Sequence, residues 1–206
     1  PNAYNQSELD WTLMTICFIA FQKECWRQIV SDFLITDGAA AVLAIVVGLI
    51  DMGVNHCPNE GCLASNDVQG YNTLAIGETY FQDNHVGEEI YYRRDTGLAF
   101  GPFQNVWGVS ATNDGELWIG AGHALTYNFL HDNAYVQLHA MAGLYEKGDG
   151  VGLGGPIEFR SGIELGYEAN SGVRVGLGID HRSNAGLYSY NPGLETFHLR
   201  VAVPLR

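Results

Sequence analysis

His181 and Ser183 stand two residues apart, and Glu195 follows just beyond Asn191-Pro192-Gly193, a strong turn signal. Imidazole, hydroxyl and carboxylate are the working parts of a serine hydrolase. The imidazole takes the hydroxyl proton as the oxygen attacks an acyl carbon, and the carboxylate holds the imidazole in the right tautomer. Asn191, Asn184 and backbone N–H groups near Gly186 are candidate donors to the oxyanion that forms. The simpler reading of Asn191 is that it only initiates the turn. His181, Ser183 and Glu195 are thus catalytic candidates for ester cleavage through an acyl-enzyme, a chemistry that calls for no metal and no cofactor.

The faces on which these groups fall narrow the substrate. Residues two apart in a strand share a face, so His181 and Ser183 go with Val173, Val175, Leu177 and Ile179. Glu195 goes with Phe197, Leu199, Val201, Val203 and Leu205, whereas His198 and Arg200 take the opposite face. A reactive trio on an aliphatic surface fits an enzyme that cuts a lipid from within the membrane. His181 and Ser183 are roughly 7 Å apart along the strand, so their side chains must lean together, with Glu195 approaching from the neighbouring strand.

From about Gly70 onward, alternating segments are separated by Gly, Asn and Asp clusters, and they read as eight strands near 71–82, 86–95, 101–112, 115–127, 134–146, 156–169, 173–184 and 194–205. Turns such as Asp83-Asn84-His85, Asn113-Asp114-Gly115 and Asn170-Ser171-Gly172 join them as hairpins. Ile157, Phe159, Ile163, Leu165 and Tyr167 alternate with Glu158, Arg160 and Glu164. An apolar outside around charged groups such as Glu158, Arg160, Glu164, His198 and Arg200 is the pattern of a small outer-membrane barrel. Tyr80, Phe81, Tyr91, Tyr92, Phe103, Trp107, Trp118, Tyr127 and Tyr145 could supply its interfacial girdles. The rival architecture is a soluble lipocalin-like barrel whose apolar face lines a ligand cavity. The fold class expected is all-β, an eight-stranded antiparallel outer-membrane β-barrel with an N-terminal helical or signal-like extension.

Three regions follow: residues 1–56 as that extension, 57–70 as a turn-rich segment, and 71–206 as the barrel that carries the site. Ala39 to Ile50 is apolar but shorter than the roughly 20 residues of a spanning helix, which suits a signal-peptide core better, with a membrane-embedded or barrel-docked helix as the alternative. Cys17 and Cys25 lie in a helical-looking stretch. Cys57 and Cys62 bracket a turn, and a disulfide between them and two free thiols are both open. His56, Cys57 and Cys62 lack a fourth ligand at zinc-like spacing. The 206 residues carry a formal net charge of -13 with no Lys/Arg cluster, which argues against nucleic acid as a partner.

Gly150-Val151-Gly152-Leu153-Gly154-Gly155 fits G-x-G-x-x-G, but no helix follows it, so it reads as a hairpin loop. His123, His131 and His139 recur every eight residues without forming a set. No G-x-S-x-G elbow is present. With both ends of an even-stranded barrel in the periplasm, the seventh strand ends with His181 and Ser183 at the extracellular rim. The lipid there is lipopolysaccharide, whose lipid A carries ester-linked acyl chains close to its sugars.

His181-x-Ser183-Asn184-x-Gly186 followed by Asn191-Pro192-Gly193-x-Glu195 resembles the C-terminal signature of the lipid A 3-O-deacylase (PagL) family. The resemblance implies a His181, Ser183, Glu195 triad, an oxyanion contact from Asn191, and Asn184 and Gly186 as further motif positions. It also implies an eight-stranded outer-membrane barrel acting on the 3-O-linked acyl chain of lipid A, and a homodimer is compatible with it. The motif covers roughly 181–195, and strand count extends the likeness over 71–206. The chain departs from the pattern in its first seventy residues and in ending Val203-Pro204-Leu205-Arg206 without an aromatic. A different reading is a non-catalytic structural or adhesion barrel in which the same residues are ordinary strand-end polar groups.

Overall fold

A computed structural model describes residues 38–206 apart from 60, 83 and 132. Cys17, Cys25 and the part of the extension before residue 38 lie outside the described residues, as does Asp83 of the first expected turn.

Eight antiparallel strands form the wall: β2 (Tyr71–Phe81), β3 (Asn84–Phe100), β4 (Phe103–Thr112), β5 (Leu117–Phe129), β6 (Ala134–Glu146), β7 (Ile157–Glu168), β8 (Arg174–Ser183) and β9 (Leu194–Pro204). Each pairs with its sequence neighbour, and β2 pairs with β9 from Tyr71↔Pro204 to Tyr80↔Glu195, which closes the barrel. A short β1 (Ser65–Asp67) pairs with the far end of β3. Closure leaves no open edge within the wall, a requirement for a sheet surrounded by lipid. Unlike the expected strand, β3 runs on past residue 95. An irregularity between Asp95 and Ala99, with Gly97 at φ 84, lets the chain bend and resume pairing instead of turning.

The alternation has the inside-out sense. Leu74, Ile90, Ile119, Leu144, Leu165 and Val201 are exposed on the outer surface. Glu89, Arg93, Arg160, Glu164, Asp180 and Arg200 are buried in the lumen. Buried charge needs partners, and each of these six has at least one, whereas the buried Glu158 carboxylate has no hydrogen-bond partner among the described residues. Arg160 binds Glu89 at 2.7 Å and Asp180 at 2.7 Å, Arg200 binds Glu164 at 2.9 Å and Asp180 at 3.2 Å, and His198 Nε2 lies 3.0 Å from Asp180 Oδ1. Arg182 pairs with Glu89. Charge inside and aliphatic groups outside are the reverse of a lipocalin-like barrel.

Tyr91, Trp118 and Tyr145 correct the expected girdle. They face inward, 1%, 0% and 6% exposed, because parity puts them in register with the lumen charges. Tyr91 stacks under the Arg160 guanidinium at 3.8 Å. Trp107 does face outward, edge-on to Tyr92.

Connections at one end of the barrel are short, 101–102, 130–133 and 169–173, whereas 147–156 and 184–193 at the other end are the longest. That asymmetry marks the second end as the extracellular rim.

Helix α1 (Ala39–Asp51) continues into a π-helical turn (Met52–His56), and Cys57 is disulfide-bonded to Cys62. Instead of leaving the barrel, α1 lies along its outer wall. Ala40, Ala44 and Gly48 recur every four residues on one helix face and are the buried ones. Their small size brings the helix backbone down onto Leu125 and Leu138. At Gly48 a Cβ would sit 2.5 Å from the Phe103 ring. The Tyr127 hydroxyl donates to Asp51 at 2.9 Å and fixes the far end.

Candidate active site

The register of β8 and β9 makes His181 and Glu195 direct partners. Both continue the outward parity of Val175, Leu177, Leu199 and Val201, so neither belongs to the lumen network beside them. Glu195 Oε1 lies 3.1 Å from His181 Nδ1. A carboxylate only accepts, so Nδ1 carries the hydrogen, and the lone pair is left on Nε2. That is the tautomer a general base needs. Nε2 is buried with no hydrogen-bond partner among the described residues, so its lone pair is free to take a proton.

Ser183 and His181 line one cleft on the outer wall, with Asn191, Gly186 and Gly193 at its rim end. Although outward-facing, His181 is only 3% exposed and Ser183 9%, because the 184–193 loop folds back over them. A Cβ on Gly193 would lie 2.6 Å from His181 Cε1 and 3.0 Å from Glu195 Oε1, so only hydrogen fits there. Read from sequence as part of a turn, Gly193 is also the surface against which the imidazole rests.

Asn184 and Asn191 divide their duties. The Asn184 amide donates to the carbonyls of Leu153 at 2.7 Å and Tyr190 at 2.8 Å, and its Oδ1 accepts from the Gly186 N–H at 3.0 Å. Asn184 is 0% exposed. Its backbone N–H donates to Asn191 Oδ1 at 2.9 Å. The Gly186 and Asn184 backbone N–H groups thus hold the loop, Gly186 to Asn184 and Asn184 to Asn191. The same bond fixes the Asn191 amide with its oxygen occupied, so the Nδ2 donors remain for the cleft.

Ser161 escaped the sequence reading, and Gly154 was read there only as part of a loop. Ser161 sits directly opposite His181 on β7, is 4% exposed, and shares the cleft. Its odd number among Phe159, Ile163 and Leu165 was the available signal: a hydroxyl on an apolar face. Gly154 has φ 102, and a Cβ there would lie 1.9 Å from the Tyr190 carbonyl oxygen. The glycine-rich run is thus a loop, as expected, but one that closes against the 184–193 loop.

A profile of the lipid A 3-O-deacylase (PagL) family matches residues 89–204. Among solved structures, the chain is similar to the outer membrane enzyme PagL, with 22% identity over 66% of this chain and 99% of that one, at a TM-score of 0.52. A designed transmembrane β-barrel aligns with 11% identity over 67% of this chain and 98% of its own, at 0.46. Comparison with curated protein sequences returns no match.

Proposed function

The chain belongs to the lipid A 3-O-deacylase (PagL) family of bacterial outer-membrane hydrolases acting on lipid A, and from that premise we propose that it removes the 3-O-linked acyl chain by serine esterase chemistry. The observation that carries the reading is the His181–Glu195 hydrogen bond on the outer, lipid-facing wall, beside Ser183 at the end with the long loops. An outward imidazole–carboxylate pair serves no purpose in holding the lumen together.

In the proposed reaction His181 Nε2 takes the Ser183 proton as Oγ bonds to the ester carbonyl carbon. The developing imidazolium is stabilised by Glu195 in surroundings that screen charge weakly. The oxyanion meets Asn191 Nδ2. Collapse breaks the bond to the sugar oxygen, which leaves with the proton from His181. Water, deprotonated by His181, then attacks the acyl-enzyme and releases the fatty acid with Ser183 restored.

Mass spectrometry of lipid A from cells expressing the wild type should show loss of one acyl chain from the 3 position, and Ser183→Ala should abolish it. A serine-reactive phosphonate should label the wild type at Ser183. Identical lipid A in both strains, with no labelled serine, would establish a passive barrel instead.

A further inference from the structure

The cleft that holds His181 and Ser183 does not end with them. It extends along the outer wall to a volume of about 750 Å³, inside the roughly 300–1,000 Å³ range of small-molecule sites. Its floor is Ala121, Ala140 and Ala142, short side chains in a belt that elsewhere carries Ile119, Leu144 and Leu165. Phe159 lies between Ser183 and Ala142 in the strand register. The helix α1 also lines the cleft, through Ala41, Val42 and Ile45. Polar side chains of the outer face gather at one end only: His181, Ser183, Ser161 and Asn191. Arg160 borders the cleft too, but its guanidinium is committed to Glu89 and Asp180 in the lumen.

A trough that is polar where an ester would be cut and methyl-lined along the rest of its length fits one kind of occupant, the saturated hydrocarbon tail of the acyl group being released. Building on the esterase reading, we propose that the Ala41, Val42, Ile45 flank of α1 is one wall of the acyl channel, so that this helix sets the chain length the enzyme cleaves. The buried Ala40, Ala44 and Gly48 contacts and the Tyr127–Asp51 bond hold that wall at a fixed distance from the alanine floor. On this account α1 is a part of the working enzyme.

The test uses the full chain and its single-substitution variants, folded in detergent micelles, with barrel formation checked by heat-modifiable migration and α1 retention by intact mass. Val42→Trp and Ile45→Trp fill the channel side of the helix. Leu43→Trp and Ile50→Trp add the same bulk on the opposite flank, by the 100° step per residue. Each is assayed on p-nitrophenyl esters graded from short to long saturated chains.

The proposal expects the two channel variants to lower the ratio of long- to short-chain turnover, by about tenfold or more for each methylene displaced, and the two controls to keep the wild-type profile. An active wild type whose chain-length profile is unchanged in all four variants, or shifted equally by all four, overturns the wall and leaves the esterase reading standing. So does a purified active enzyme that lacks residues 39–51. A wild type that cleaves no ester and labels no serine overturns both.

Discussion

At the scale of single residues, two hydroxyls compete for His181. Ser161 is the cross-strand neighbour, with Cβ atoms about 4.5–5.5 Å apart in such pairs, whereas Ser183 is roughly 7 Å away along β8. Distance alone favours Ser161. The proposed oxyanion donor favours Ser183, because Asn191 is held by the backbone N–H of the very next residue, Asn184. An attacking oxygen must lie beside both base and donor, and only Ser183 adjoins the donor. Ser183→Ala is therefore expected to lower kcat by at least about a thousandfold, and Ser161→Ala by no more than about tenfold, measured on one ester substrate. The reverse order would move the nucleophile to β7. Gly193→Ala tests the support of the imidazole. A methyl group 2.6 Å from Cε1 must displace the ring, and a shift near 1 Å costs on the order of a hundredfold in kcat. The folded fraction on a heat-modifiability gel should not change.

At the scale of elements, the strands were legible because most alternate, the first three less cleanly, and because all but the last end near Gly, Asn or Asp. Their bounds agree with the sequence reading to within a few residues except in β3, which bends at Gly97 and runs on to Phe100. The outward placement of His181, Ser183 and Glu195 was also legible, since parity survives to the strand end. What parity cannot carry is the loops. The roles of Asn184, Gly154 and Leu153 depend on contacts between segments 30 residues apart, and Asn184 Nδ2 reaching the Leu153 carbonyl is one of them, separated by 31. The docking of α1 was equally out of reach, because an apolar run of that length has the same composition whether it is discarded or packed on a wall. Asn184→Ala would leave two carbonyls without their donor, at about 1–3 kcal/mol each. Limited proteolysis should then cut both 147–156 and 184–193 while the strands stay protected, and ester hydrolysis should fall with the loop.

At the scale of the whole molecule, the barrel separates two polar systems by the thickness of one sheet. Asp180 and His181 are sequence neighbours, yet Asp180 holds Arg160, Arg200 and His198 in the lumen while His181 meets Glu195 outside. Strand alternation is what makes this separation possible, and it makes the two systems independently testable. Asp180→Asn keeps the shape of the side chain but removes the charge shared by two buried guanidinium groups. Breaking a buried ion pair from one side costs about 3–5 kcal/mol, moderated here because Glu89 still pairs with Arg160 and Glu164 with Arg200. The denaturant midpoint of the barrel in detergent should therefore fall clearly, with kcat per folded molecule unchanged. Glu195→Gln should do the opposite, leaving the midpoint where it was and removing most of the activity, because the carboxylate lies outside the load the lumen carries. Equal loss of stability and activity in both variants would mean that the outer pair is a strut of the wall, and the chemistry assigned to it would have to move.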